Sequence, residues 1–348
     1  FRCIYCYETF PAGRMRKSVR EGIKKFIAKQ EGLKYLHIAW FGGEPLLASD
    51  VVIELSQFFH EYCQIHSISL SSDMTTNGSL LVPEVFEQIV QYGVRSFQIT
   101  IDGLPEDHDK RRVTIHGEGT FANILANLRY MKSTRHSFIV GLRNNFDPES
   151  IVKVNDFIGL MKAEFGGDPR FKLFFRPIGR LGGANDQSLM VCEAREAERI
   201  MMQAQRLAVE AGFRGGCSAN LGHNRVLEPF SFVCYAANPR SFIISPQGKI
   251  YKCTIELGEK ERNIVGRLSN EGELELDPIK MALWTESDGR REGAKCHACF
   301  FAPACVGAVC PKEWMDRNDC SCPTEKKRIG EALELAVMQK KLPTPVTA

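Results

Sequence analysis

Residues 35–45 read YLHIAWFGGEP. A run rich in aromatic and branched apolar residues stops abruptly in Gly42, Gly43, Glu44 and Pro45. Such a run reads as a β-strand delivered into a tight turn. The same alternation extends on both sides of it. Helical spacing marks residues 18–29, 51–63, 83–93, 121–132 and 148–165. Strand-like runs mark residues 68–75, 96–101 (SFQITI), 137–143 and 171–175 (FKLFF), and two of them end in Asn77-Gly78 and Asp102-Gly103. Strands alternating with helices of this length predict a parallel sheet covered by helices. In such folds the active site forms on the loops that follow the carboxyl ends of the strands.

Beyond this array, residues 194–211 read as a long helix of good helix formers. The texture then changes: residues 217–322 are cysteine-rich, with short strands expected at 241–244 and 249–251. A closing helix is expected over 325–341, with Pro343 beyond its end. No internal repeat or low-complexity segment is present. The 348 residues are 44% hydrophobic and 25% charged, enough for one large core and a smaller domain. The net charge of +3 and pI of about 8.2 give no concentrated basic face, so nucleic acid is not an expected partner. There is no run of 18 apolar residues to cross a membrane. The opening FRCIYCYETF lacks the features of a secretory signal, so the expected location is cytoplasmic.

Thirteen cysteines are distributed unevenly: only Cys63 lies between Cys6 and Cys192, whereas six fall from Cys296 through Cys322. In an intracellular chain this density points to metal or redox chemistry rather than disulfides. Cys3-Ile4-Tyr5-Cys6 is a CxxC that by itself fits zinc, a redox dithiol or an iron–sulfur site. A longer pattern follows: Cys234, thirteen residues, Gly248, four residues, Cys253; then Cys296-x2-Cys299-x5-Cys305-x4-Cys310; then Cys320 and Cys322. Soft thiolates in sets of four suit zinc or a cubane iron–sulfur cluster. Cys63 and Cys192, on or beside helices, read as buried thiols.

Together these motifs resemble the radical S-adenosylmethionine (SAM) family. Cys3 and Cys6, with Tyr5 before the second, resemble the last two cysteines of the family's CxxxCx(aromatic)C loop. The family's first cysteine and first strand would precede Phe1, so an upstream segment is expected. Gly42, Gly43, Glu44 and Pro45 resemble the GGEP loop, which implies that Glu44 and nearby backbone receive the SAM amino group. Thr76-Asn77-Gly78, Thr100-Ile101-Asp102-Gly103 and Arg143-Asn144-Asn145 fall at matching places. The resemblance implies cofactor contacts from Asn77, Thr100, Asp102 and Arg143, with Thr100 and Arg143 near the SAM ribose or carboxylate. Residues 102–112 (DGLPEDHDKRR) resemble a signature of the peptide-modifying branch; equally, Asp102, His108, Asp109 and Arg112 could only brace a loop.

The C-terminal pattern resembles the SPASM domain of the same family, departing by one residue between Cys305 and Cys310. The resemblance implies a partial (β/α)6 TIM-like barrel over residues 1–190, a connecting helix and bridging segment over 191–230, and a SPASM domain with a C-terminal helix over 231–348. It implies three [4Fe–4S] clusters. One is the SAM-binding cluster on Cys3 and Cys6. The first auxiliary cluster would use Cys234, Cys253 and Cys310, its fourth site being Cys217 or open to substrate. The second would use Cys296, Cys299, Cys305 and one of Cys320 or Cys322; Cys322 is favoured because it precedes Pro323 and a basic helix. The implied activity is that of a radical SAM peptide maturase of the sactipeptide or ranthipeptide type. A 5′-deoxyadenosyl radical takes hydrogen from a carbon of a ribosomally made precursor peptide, and a thioether to a substrate cysteine forms. Carbon–carbon crosslinking and sulfatase-type maturation are the alternatives, although Thr254 stands where sulfatase maturases typically carry an aspartate. The implied partners are the precursor peptide and a reductant such as flavodoxin or ferredoxin. An iron–sulfur electron carrier or a zinc scaffold is the non-enzyme alternative. The sequence assigns no catalytic acid or base.

Overall fold

The computed structural model describes residues 1–8, 13–215, 232–258, 260–286, 296–305, 310–317 and 322–344. The chain divides into two compact units, one of Phe1–Tyr7, Leu33–His223 and Glu334–Ala348, the other of Glu8–Gly32 and Asn224–Leu333.

The first unit is built on five parallel strands in the order β1 (Tyr35–Trp40), β2 (Ser69–Thr76), β3 (Val94–Thr100), β4 (Ile139–Phe146) and β5 (Phe171–Pro177). Between and after them run α2 (Ser49–Ile65), α3 (Pro83–Gln91), α4 (Pro105–Arg111), α5 (Phe121–Ser133), α6 (Val154–Phe165) and α7 (Ala194–Glu210); α1 (Lys17–Ala28) belongs to the second unit. This is the α/β parallel sheet that the alternation predicts, and it resembles a partial barrel. Residue parity along the strands separates two faces. Met74, Phe97, Ile99, Val140, Leu142, Phe171 and Leu173 point to one face and pack with Phe86, Ile89, Ile124, Leu128, Phe157 and Met161 of the helices. Each such buried side chain contributes roughly 1.5–3 kcal/mol of hydrophobic stabilisation. The other face is polar. The register sets His37 beside Ser71, Ala39 beside Asp73, Thr75 beside Gln98 and Thr100 beside Arg143.

Two elements depart from the pattern read in the sequence. Residues 105–111 form a short helix, α4, where a loop signature stands. Pro105 opens it at the first turn, where its missing N–H is harmless. Helix α6 begins at Val154, six residues later than its expected start, after a 3₁₀ turn at Ser150–Lys153. The reason is Asp147, whose Oδ1 accepts from the backbone N–H of Glu149 (3.1 Å) and Ser150 (2.8 Å) and holds a turn there.

The second unit carries a four-stranded antiparallel sheet, β6 (Ile243–Ile244), β7 (Lys249–Tyr251), β8 (Ile264–Leu268) and β9 (Leu274–Leu276). The last two strands were not anticipated; they are short and carry little periodic signal. Helix α1 lies by the turn between them, with Lys25 paired to Glu271 at 2.7 Å. Helix α8 (Pro278–Thr285) starts on Asp277, whose Oδ1 accepts from Ile279 and Lys280 N–H, both at 3.0 Å. Its Trp284 is buried and donates Nε1–H to the Arg262 carbonyl at 2.9 Å. Three helices follow, α9 (Ala302–Cys305), α10 (Pro311–Arg317) and α11 (Thr324–Lys327), and then α12 (Ile329–Lys340). The single closing helix expected over 325–341 is thus interrupted at Arg328. Residues from Glu334 onward return to the first unit, where Arg206 meets Glu334 at 2.9 Å. Among the described residues, no helix is long and apolar enough to cross a membrane.

Candidate active site

The carboxyl ends of β1 to β4 converge with the opening residues on one set of loops. The Cys3–Cys6 segment is a tight turn, with Cys6 N–H donating to the Cys3 carbonyl at 3.1 Å. It is strapped to the chain beyond α4: Arg2 N–H donates to the Val113 carbonyl (2.8 Å) and Ile4 N–H to that of Arg111 (3.0 Å). Tyr5 turns into the protein. Its hydroxyl donates to Asp102 Oδ2 and accepts from Arg112 Nη1 (2.7 Å) and Asn145 Nδ2 (3.1 Å). Asp102 Oδ1 accepts from Asn145 N–H at 2.9 Å. Anchoring Tyr5 in this way leaves the half-buried Cys3 and Cys6 flanking it on the same turn. Burial pushes the Cys3 thiol up, and Asp102 and Cys6 add to the rise while Arg112 opposes it.

Glu44 has a role different from the one the resemblance implies for it alone. Its carboxylate accepts from Leu46 N–H (3.0 Å), Thr76 Oγ1 (2.7 Å) and Asn77 N–H (2.7 Å). It therefore clamps the loop after β1 to the end of β2. Burial raises its carboxyl above the ordinary range, and the Asn77, Thr76 and Leu46 hydrogen bonds oppose the rise. Gly42 beside it has φ +149°, and a Cβ there would meet no heavy atom within 4 Å. The loop thus leaves open space where a ligand could approach the backbone. Gly78 is different: φ is +82° and a Cβ would lie 2.9 Å from Ile99 Cγ2. Asn77 turns its Oδ1 to Ser79 N–H at 2.8 Å, which caps the loop locally. Thr100 and Arg143 are neighbours across β3 and β4, and Arg143 Nε donates to Asn145 Oδ1 at 2.7 Å. Glu44, Asn77, Thr100 and Asp102 thus lie on strand ends or the loops that follow them, with Gly42, Gly43 and Pro45 on the first of those loops, while Arg143 lies inside β4 level with Thr100.

The DGLPEDHDKRR stretch braces this frame. His108 is fully buried; its Nδ1 accepts from Asp102 N–H (3.1 Å), and its Nε2 faces Thr120 Oγ1 (3.1 Å), which donates to the Arg112 carbonyl (2.7 Å). This chain requires the neutral Nε2–H tautomer. Burial, with Arg112 and Arg111 nearby, lowers its pKa to about 3. Asp109 Oδ1 accepts from Thr120 N–H (2.7 Å) and Phe121 N–H (2.9 Å) at the start of α5. Arg111 holds the buried Asp147 at 2.8 Å. Burial works against the Arg112 charge, but Tyr5, Cys3 and Asp102 around it hold its pKa well above the ordinary value.

In the second unit, cysteines neighbour one another in two groups. Cys253 is buried and neighbours Cys310 and Cys234; burial, with these two thiols, pushes it up to about 11. Its turn is held by Asn263, whose Oδ1 accepts from Lys252 and Cys253 N–H (3.0 and 2.9 Å) while Nδ2 donates to the Cys253 and Glu256 carbonyls (both 2.8 Å). Tyr235, next to Cys234, ties to Thr254, next to Cys253, through a 2.7 Å hydroxyl contact. Cys299 and Cys322 share one ammonium: Lys326 Nζ lies 3.1 Å and 3.6 Å from their sulfurs. Cys296 and Cys305 are buried, and Trp314 packs on Cys296. Cys217 and Cys320 lie outside the described residues. Cys3, Cys6, Cys63, Cys192, Cys253, Cys299, Cys310 and Cys322 are free thiols. Among the described residues, no three of His, Cys, Asp and Glu converge on one metal-sized point. Thiolates are chemically suited to iron–sulfur ligation, but no set of three or more is brought together among the described residues. Thr76 and Asn145 were singled out in the sequence only as motif members, and Asn263 and Lys326 not at all, because their supports act through contacts that no local pattern shows.

The parallel sheet thus carries residues 42–45 on the loop after β1, and the Cys3–Cys6 turn is strapped to the chain beyond α4. Residues 1–157 match the model of the radical SAM superfamily. Over 324 residues it is 21% identical to the cysteine-type anaerobic sulfatase-maturating enzyme of Clostridium novyi (strain NT), covering 87% of this chain and 83% of that protein. Over 204 residues it is 26% identical to the AdoMet-dependent heme synthase of Methanosarcina barkeri (strain Fusaro / DSM 804), covering 57% and 52%. The fold is that of native anSMEcpe, solved with bound AdoMet and Kp18Cys peptide: TM-score 0.70 at 17% identity, over 97% of this chain and 93% of that one. Streptococcus suis SuiB, solved with S-adenosylmethionine, gives a TM-score of 0.59 at 12% identity, over 91% and 71%.

Proposed function

We propose that this protein is a radical SAM enzyme that matures a peptide, forming an intramolecular thioether between a substrate cysteine and a carbon of another residue. The observation that carries the reading is the pairing of thiols in the second unit, Cys253 with Cys234 and Cys310, and Cys299 with Cys322. Paired soft donors of this kind suit two auxiliary iron–sulfur clusters in a SPASM-type domain, additional to a SAM-binding cluster on Cys3 and Cys6. Bound there, a reduced cluster would supply the electron that splits SAM into methionine and a 5′-deoxyadenosyl radical. The remaining work belongs to the chain. Tyr5, Asp102 and Asn145 fix the cysteine turn, Glu44 sets the loop that receives SAM, and Thr100 and Arg143 offer polar contacts to it. The polar sheet face positions the target carbon and excludes competing hydrogen donors. A flavodoxin or ferredoxin is the expected reductant, in a cytoplasmic setting. The peptide-bound state of anSMEcpe supports a peptide as substrate.

Sulfatase-type maturation is the second reading, favoured by the likeness to the Clostridium novyi enzyme over 87% of this chain. Against it, Thr254 offers a hydroxyl bonded to Tyr235 where that class carries a carboxylate. The test is anaerobic incubation of the reconstituted enzyme with SAM, dithionite and cysteine-containing peptides. Loss of two hydrogens with one thiol no longer alkylatable is the expected product. The same mass loss with all thiols alkylatable means a carbon–carbon link and overturns the thioether. Absence of 5′-deoxyadenosine overturns the reading altogether.

A further inference from the structure

The polar face of the sheet holds a hydrogen-bonded chain of side chains outside the contacts described above. His37 Nε2 lies 3.0 Å from Asp73 Oδ2, and His37 Nδ1 lies 2.8 Å from Ser71 Oγ. Ser71 Oγ in turn lies 2.5 Å from the Tyr35 hydroxyl. Asp73 stands level with Ala39, one residue short of the end of β1, while Tyr35 is the first residue of that strand and is 53% exposed. The chain therefore runs from near the strand ends, where the SAM loops lie, to solvent at the opposite end of β1. The His37 and Asp73 side chains are themselves mostly shielded, 30% and 24% exposed. On the neighbouring strand, at the level of Asp73, Ser96 Oγ is buried and makes no hydrogen bond among the described residues. A buried hydroxyl left this way on a polar surface is the mark of a place where water or a substrate group completes the contacts.

We propose that Asp73 and His37 take up the proton that the peptide loses during crosslinking, and that Ser71 and Tyr35 pass it to solvent. The inference rests on the proposed peptide maturation and deepens it. Replacing one C–H and one S–H by a single C–S bond removes two hydrogens from the peptide. The adenosyl radical carries off one as a hydrogen atom. The other leaves as a proton and an electron, the electron going to a one-electron acceptor of the iron–sulfur class. In the accepting state His37 Nδ1–H donates to Ser71 and Nε2 faces the Asp73 carboxyl. A proton arriving on Asp73 passes to Nε2, the Nδ1 proton to Ser71 Oγ, the Ser71 proton to the Tyr35 oxygen, and the Tyr35 proton to water. Each O–H or N–H bond broken is matched by one formed on the next atom. Both hydroxyls rotate and the imidazole has two tautomers, so the chain can reset. A chain of this kind is a relay, and its members position a proton rather than act on the carbon.

The test uses the reconstituted full chain and the cysteine-containing peptide that loses two hydrogens in the assay above. The readout is the number of 5′-deoxyadenosine molecules formed per crosslinked peptide. In His37→Gln and Asp73→Asn this ratio should rise about 100-fold, the scale of one lost acid–base step. Tyr35→Phe and Ser71→Ala interrupt the path further out and should give smaller rises. Free imidazole should lower the ratio again in His37→Ala. A network that merely tied β1 to β2 would reduce both products together, and an unchanged ratio in His37→Gln overturns the relay alone. If wild-type enzyme makes deoxyadenosine but crosslinks no peptide, the proposed function fails and the relay falls with it.

Discussion

His108 should make this protein acid-labile in a way that a single substitution removes. The imidazole accepts from Asp102 N–H through Nδ1, and this N–H is part of the backbone that carries the Tyr5 anchor. Protonating Nδ1 would set a donor against a donor inside a fully buried pocket. Its folded-state pKa of about 3 lies below the ordinary value of 6.5. The group's contribution is therefore fully present above pH 6.5 and is lost as pH falls from there toward 3. At 1.36 kcal/mol per unit, the whole window amounts to about 5 kcal/mol, and pH 5 already removes about 2 kcal/mol. Against a total stability of about 5–15 kcal/mol, that is a large fraction. Glu44 and Asp102, whose carboxyls burial raises, titrate in the opposite sense, so the wild-type curve mixes the effects. The comparison with His108→Gln isolates the histidine. Gln keeps one acceptor and one donor but cannot protonate. Urea melts of the metal-free protein between pH 7 and 4.5 should show wild type losing about 2 kcal/mol more than His108→Gln by pH 5. Parallel pH slopes for the two proteins would refute the buried neutral tautomer.

Two further substitutions probe the same frame. Asp109→Ala removes the acceptor for Thr120 and Phe121 N–H at the start of α5, and should lower stability by about 0.5–2 kcal/mol in a denaturant melt. Arg111→Met leaves the Asp147 carboxylate buried without its cation and should lower stability by about 3–5 kcal/mol; Arg111→Lys, which keeps the charge but not the two-nitrogen grip, should recover part of that in the same melt.

Much of the first unit was legible because its strands appear as short β-prone runs set between helical ones, most of them ending in glycine, asparagine or aspartate. Five such runs became five parallel strands, each within three residues of its expected bounds. Helix α4 was hidden because PEDHDKR has no apolar stripe. What pays for that helix is tertiary: His108 and Arg111 are drawn inward by Asp102 and Asp147. The 102–112 stretch shows why the sequence left two readings open. Its residues brace the frame, and the frame is what presents the cysteine turn. Bracing and function are then not alternatives for Asp102, since the same carboxylate that accepts from Asn145 holds Tyr5 between Cys3 and Cys6.

The second unit was legible in a different currency, cysteine spacing, which names donors but not the geometry that aims them. Asn263 illustrates the gap. It stands ten residues after Cys253 with no motif around it, yet four of its hydrogen bonds fix the Lys252–Glu256 turn. Lys326 is similar: in the sequence it is one of several basic residues in a helix, and only the fold sets its ammonium between Cys299 and Cys322. An N–H donor to a thiolate sulfur stabilises the charge that accumulates there, and a ligand pair sharing one such donor would respond to it together. The polar face of the sheet escaped notice for the converse reason. Alternation in SLSSDMTT reads as weak strand with polar residues to spare, and nothing in it separates a solvated edge from the inside of a barrel. Pairing with β1 makes that distinction, because it sets His37 between Ser71 and Asp73, where one imidazole can reach both.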